Sequence, residues 1–248
     1  PQEVLARLTP TVIAGLSKSS WVPTLLLDRA DAMYETPEQR AASVAAYAEI
    51  AEKHPKSADA PQAAYLAAFT ALEVRQYESA RAHAEKFLKE HPGHELTPDV
   101  LAVAAEAALQ LKDYAQAQKM FDRLLTDHAG HADAELWTVR RAVVFFVQKK
   151  HAETIAALEP ALKRIASPET LAEAHYLIGA SRLAAGEHRQ AIEALTASQQ
   201  ASTKWRQADE VLLLLAQAQH ASQATDAAVA TLRKMLAEYP KSKMAEQG

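Results

Sequence analysis

Residues of like kind recur every 37 positions along this chain of 248 residues. Tyr77 is followed by Tyr114, and the same step lands on His151, His188 and Thr225. Three positions on stand Ala80, Ala117, Thr154, Ala191 and Ala228. Four further on stand Ala84, Phe121, Leu158, Leu195 and Leu232. An upstream column keeps the same phase: Ala68, Ala105, Ala142, Gly179 and Ala216. Turns recur as His54-Pro55, His91-Pro92, His128-Ala129 and Tyr239-Pro240. Small, large-apolar and turn columns that agree over successive units are the mark of stacked supersecondary units.

The stretch Pro61 to Pro92 shows what one unit is. It reads as two helices with a tight turn between them and a proline after the second. Ala64, Ala68 and Ala71 face Ala80 and Ala84, so the helices can approach closely. Such a pair cannot bury both faces alone and needs a neighbour on each side. Later units read as helices over about 98–111 and 114–127, 133–148 and 151–165, 169–185 and 188–201, and 207–221 and 224–238. Thr97-Pro98 and Ser167-Pro168 read as caps followed by proline at the first helical position. Gly186 reads as a left-handed helix end.

Before the clear units lies a degenerate pair, Thr24 to Tyr34 and Pro37 to Lys53, with Thr36-Pro37 as the start of its second helix. Lys18 to Pro23 reads as a loop. Val4, Leu5, Leu8, Val12, Ile13 and Leu16 make one stripe that Pro10 breaks. At the far end Pro240-Lys241-Ser242 echoes Pro55-Lys56-Ser57, and Met244 to Glu246 reads as the start of another first helix. The expected organisation is a single array over 1–248: a helical segment over 1–20, the degenerate pair over 21–55, repeats over 56–92, 93–129, 130–166, 167–203 and 204–240, and a truncated unit over 241–248. With no polar cap written at either end, the chain reads as a piece of a longer array.

The order of small residue, Tyr, Ala, large apolar residue and Pro resembles the tetratricopeptide repeat. Counting Pro61 as the first residue, its small, Ala, large-apolar and Pro columns are Ala68, Ala80, Ala84 and Pro92. The next unit gives Ala105, Ala117, Phe121 and Ala129. The resemblance covers roughly 24–248, with a period of 37 where the family commonly has about 34. Arg141 stands where a leucine-like residue is usual and Thr154 where Ala is usual. Within the family, HPKSADAPQAAY at 54–65 is similar to the TolA-binding and outer-membrane-assembly repeat proteins of bacterial envelopes.

The resemblance implies an all-α fold, a right-handed α-solenoid of antiparallel helix pairs. It implies a superhelix whose concave wall is made by the first helices. In the family's phase that wall carries Tyr65, Ala102, Val139, Tyr176 and Leu213 in one column, and Phe69, Glu106, Val143, Ala180 and Gln217 in the next. A third column reads Leu72, Leu109, Phe146, Leu183 and His220. The expected groove residues are Tyr65, Phe69, Val139, Val143 and Tyr176, with Arg140 as a polar anchor. The same columns would instead be core if neighbouring pairs closed over them.

Composition narrows the chemistry. The net charge of −4 leaves no electrostatic footprint for nucleic acid. No apolar run is long enough to span a membrane. With no cysteine, disulfides and thiolate-ligated metals are excluded from this chain. That fits an extracytoplasmic setting, periplasmic or envelope-associated, and a cytoplasmic protein passes the same test. Six glycines form no phosphate-cradling loop, and no nucleophile motif is present. His91 with His94 and His128 with His131 are metal-like in spacing, but histidines after a helix end also satisfy its last carbonyls. We therefore expect no catalytic residues, no metal and no cofactor.

The expected function is a non-catalytic scaffold that binds a protein or peptide segment in its groove, in bacterial envelope assembly or maintenance. The alternatives are a structural arm of a larger enzyme or receptor, and a module that self-associates through its ends.

Overall fold

In the computed structural model, described for residues 1–17 and 19–243, the chain forms helices joined by short turns, with no strand among the described residues. The expected helix start at Met244 to Glu246 and Lys18 of the expected loop lie outside the described residues. The chain divides into two compact units, Pro1–His128 and Ala129–Gly248.

Unit 1 holds α1 (Gln2–Arg7), α2 (Pro10–Gly15), α3 (Val22–Glu35), α4 (Arg40–Lys53), α5 (Ala60–Glu73), α6 (Tyr77–Glu90), α7 (Thr97–Gln110) and α8 (Tyr114–Asp127). Each long helix packs on the next in sequence, and the first helices α3, α5 and α7 also touch in turn. Unit 2 holds α9 (Ala134–Val147), α10 (His151–Leu158), α11 (Pro168–Ala184), α12 (His188–Ala201), α13 (Ala208–Ala221) and α14 (Thr225–Glu238). There the first helices are α9, α11 and α13, again in contact along the stack. Each unit is thus a stack of antiparallel helix pairs, the α-solenoid architecture that the repeat implies.

From α5 onward, the turn between the two helices of a pair keeps the period. Arg75, Lys112, Lys149, Gly186 and Gln223 have φ between 60° and 78°, each 37 residues from the next. Beside them the N–H groups of Gln76, Asp113, Lys150, Glu187 and Ala224 donate back to Ala71, Ala108, Phe145, Arg182 and Gln219 at 2.8–3.0 Å. A second bond, such as Arg75 N–H to the Leu72 carbonyl at 3.0 Å, completes a Schellman motif at each of these five turns, which the α3–α4 turn does not share. Two carbonyls that the helix end would leave open are satisfied each time. Only one of the five left-handed residues is glycine, so the motif is nearly invisible in sequence.

The repeat columns are the core. Ala68, Ala80 and Ala84 are fully buried with Phe87 in unit 1; Leu158, Ala191 and Leu195 are fully buried in unit 2. Phe87, Phe121 and Leu124 each contribute roughly 2–3 kcal/mol by burial. The two departures of the middle repeat are accommodated. Thr154 is fully buried, and its hydroxyl donates to the Lys150 carbonyl at 2.9 Å. The Arg141 guanidinium lies over the Phe145 ring, 5.1 Å from its centroid.

Several expected boundaries move. Val22 and Pro23 already belong to α3, because Pro23 fits the first turn of a helix. Thr36-Pro37 does not open α4: the Thr36 hydroxyl donates back to the Ala32 carbonyl at 2.8 Å, closing α3, and α4 begins at Arg40. Thr97 is the first residue of α7 rather than its cap, and it is buried. The second helix of the middle repeat ends at Leu158 instead of reaching 165, because Pro160 has no N–H to continue the ladder. Elsewhere the expected breaks and caps are found. Pro10 breaks the N-terminal stripe, and Thr9 caps α2 by accepting from Val12 N–H at 3.3 Å. Ser167 caps α11 in the same way, accepting from Thr170 N–H at 3.3 Å.

Candidate partner-binding surface

The expected groove residues lie on first helices, those of unit 1 on α5 and those of unit 2 on α9 and α11. On α5, Tyr65 and Phe69 stand one turn apart with ring centroids 5.9 Å from each other. Both are half-buried and rest on the alanine-rich core of Ala68, Ala71 and Ala84.

In unit 2 the candidates divide. Val139 is fully buried and belongs to the core. Tyr176 is also enclosed, 6% exposed, with its ring 5.2 Å from Trp205 and 6.3 Å from Phe146. Its hydroxyl donates to Glu210 of the next first helix at 2.8 Å. Burial, with that carboxylate second, pushes the phenol above its usual value, so it stays protonated. Arg140 is held by Glu173 across the α9–α11 contact, Nη1 to Oε1 3.3 Å, with both side chains mostly enclosed. Val143 is half-buried beside it.

Two residues join this face that the columns read above did not include. Leu136 is 41% exposed and Val147 is 43% exposed. With Arg140 and Val143 they follow the spacing i, i+4, i+7, i+11, which puts all four on one stripe of α9. They occupy the second and thirteenth positions of the repeat, so reading those two columns would have found them. The stripe is apolar at both ends with an ion-paired arginine between. It can receive apolar side chains of a partner and place a polar group against the Arg140–Glu173 pair. Truncating an anchor of this kind typically costs about 1–2 kcal/mol of binding when it is desolvated on association.

The histidine turns use their rings locally. His94 Nδ1 accepts from Leu96 N–H at 3.1 Å, and His131 Nδ1 accepts from Asp133 N–H at 3.2 Å. These two lie 37 residues apart and make the same bond. His131 also stacks on Trp137, centroids 4.6 Å apart and 17° between planes.

Comparison with known proteins agrees with this architecture. Two tetratricopeptide repeat profiles match residues 71–143 and 176–243. A third, described as anaphase-promoting complex, cyclosome, subunit 3, matches 110–198. No curated protein matches the chain by sequence. Among solved structures the chain is similar to PilW, a widely conserved type IV pilus biogenesis factor. The TM-score is 0.71 at 16% identity, covering 91% of this chain and 97% of that one. It is similar to MamA from Desulfovibrio magneticus RS-1 with a TM-score of 0.62 at 17% identity, covering 74% and 97%. It is also similar to YrrB, a repeat protein with an unusual peptide-binding site, with a TM-score of 0.59 at 14% identity, covering 81% and 96%. At these identities the likeness speaks to fold. Together, the 37-residue columns, the Schellman turn in five successive repeats and the matching profiles establish that the chain belongs to the tetratricopeptide repeat family.

Proposed function

We propose that the chain is a non-catalytic protein-interaction scaffold that holds a partner segment against its first-helix faces. The observation that carries this is the stripe on α9, where Leu136 and Val147 stay more than two-fifths exposed while the neighbouring core closes completely. Tyr65 and Phe69 offer a second such surface on α5. Arg140 serves as a polar anchor through its pair with Glu173. Val139 and Tyr176 support the surface from behind. The unchanged repeat phase across residues 128 and 129 supports reading both units as parts of one array.

The setting we infer is the bacterial envelope, in assembly or maintenance. The envelope-type turn at 54–65, the absence of cysteine and the likeness to a pilus biogenesis factor support it. No described helix is long and apolar enough to cross a membrane. The test is a pull-down with the wild-type chain beside a Tyr65→Ala/Phe69→Ala/Val143→Asp variant of matched helicity. A protein captured by the first and lost by the second supports these faces; equal capture by both overturns them.

Self-association is a second reading, with one observation in its favour. On α14 Val229 is 42% exposed and Leu236 is 48% exposed, two turns apart on one side. Light scattering that shows a monomer at high concentration removes it.

A further inference from the structure

Three of the most exposed large apolar side chains fall within ten residues at the start of unit 1. Val12 is 46% exposed, Leu16 is 42% and Trp21 is 68%. Val12 and Leu16 are one helical turn apart at α2, and Trp21 immediately precedes α3. Trp137 and Trp205, the other two tryptophans, are 3% and 8% exposed.

The same segment walls a cleft of about 560 Å³. Ser19 and Ser20 line one side, and Lys53, His54, Lys56 and Ser57 line the other. No carboxylate lines it among the described residues, although the chain carries 31 acidic residues against 27 basic ones. Two nearby acids that do not line the cleft bond to residues that do. Glu49 pairs with Lys53 one turn back along α4, and Asp59 accepts from Thr24 at 2.8 Å and from Ser57 at 3.2 Å. The turn five repeat steps later forms a cleft as well, but Asp209 and Glu238 balance Arg206 and Lys241 there, and its tryptophan, Trp205, is buried. A cleft walled by cations and no carboxylate, beside an exposed tryptophan, is therefore a property of this edge and not of the repeat.

We propose that this edge of unit 1 docks on an anionic lipid surface. Trp21, Leu16 and Val12 enter the headgroup boundary, where an indole finds apolar contact and a partner for its N–H together. Lys56, Lys53 in exchange for its exposed pair with Glu49, and the hydroxyls of Ser19 and Ser20 meet lipid phosphates. Each lysine near an anionic leaflet adds to the attraction, and salt weakens it. The proposal is separate from the first-helix surfaces, which bear other residues.

The experiment uses the intrinsic fluorescence of the whole chain. Because Trp137 and Trp205 are enclosed, Trp21 dominates any change on contact with lipid. We expect a blue shift and co-sedimentation with vesicles of equal phosphatidylglycerol and phosphatidylcholine, and little of either with phosphatidylcholine alone. Lys53→Gln/Lys56→Gln should lower the partition by about tenfold or more. Trp21→Phe should still sediment while the shift disappears. Circular dichroism of both variants should match the wild type, since all three side chains are at the surface. The proposal is overturned by any of three results: no sedimentation with anionic vesicles, sedimentation without a Trp21 shift, or equal partition of the lysine variant. Inorganic phosphate that raises the melting temperature while anionic vesicles fail to bind would make the cleft a soluble-anion site and likewise overturn it.

Discussion

A Cβ added to Gly179 would stand 2.6 Å from Cγ of Leu195 and 3.2 Å from its backbone nitrogen. Gly179 is the small column of α11 and Leu195 the large column of α12, so the contact sets how closely this helix pair packs. Leu195 is fully buried and has nowhere to swing. Gly179→Ala should therefore destabilise the protein by about 1–2 kcal/mol, even after the better helix propensity of Ala is counted. Adding Leu195→Ala should make the two costs strongly non-additive, because the cavity receives the new methyl. Thermal melts of the two single variants and the double variant check this.

The left-handed turn residues give a crossed test. A side chain at positive φ costs about 1–2 kcal/mol, and glycine returns part of that as lost chain entropy. Lys112→Gly should raise stability by up to about 1 kcal/mol, while Gly186→Lys should lower it by a similar amount. Nothing lies within 4 Å of an added Cβ at Gly186, so the effect there is backbone conformation alone. Equal melting temperatures for both variants and the wild type would contradict it.

Much of the fold is legible in the sequence because the repeat columns carry residue size. The Ala, Leu and Phe columns locate the long helix pairs of the clear repeats, and proline starts locate three of the first helices, α5, α7 and α11. What escapes is chemistry that replaces size. In the degenerate pair the small column holds Asp31 and the large column Tyr47, and the Tyr47 hydroxyl donates to Asp31 at 2.6 Å. The contact survives as a hydrogen bond, which no size pattern reveals. Thr36-Pro37 misleads because a threonine that could cap the next helix instead bonds back to the previous one. The helix end before Pro160 is hidden because the columns on both sides of it stay in phase. The column pattern puts Val139 and Tyr176 in the groove because it cannot tell how far each neighbouring helix pair closes over its predecessor.

Tyr47→Phe tests the substituted contact. Tyr47 is 1% exposed, and burial with Asp31 beside it holds the phenol protonated far above its usual range. Removing the hydroxyl leaves a carboxylate without its donor and should cost about 1–2 kcal/mol. The same column elsewhere holds Ala84, Phe121, Leu158, Leu195 and Leu232, so no other repeat can make this bond there. Urea unfolding of the Tyr47→Phe variant is the direct check, and an unchanged midpoint would show the bond to be dispensable.

Acid should weaken the fold through two histidines. Burial holds His83 and His175 below the ordinary histidine value of about 6.5. Around His83, Lys86 pushes the same way and Glu52 opposes. The unfolded chain then takes up protons that the native state resists. Stability is full above about pH 6.5 and falls as the pH drops from there through the folded values. Melts on either side of that window should show the loss, and His83→Gln/His175→Gln should flatten it.

The Schellman turns give the chain natural seams. Each presents the same backbone to the next helix, whatever side chain stands at its apex. A segment removed between two apices, such as 76–112, would join one turn to an identical one and keep every later residue in register. Length in such a protein can therefore grow or shrink by whole repeats through simple duplication or loss, with no new junction to invent.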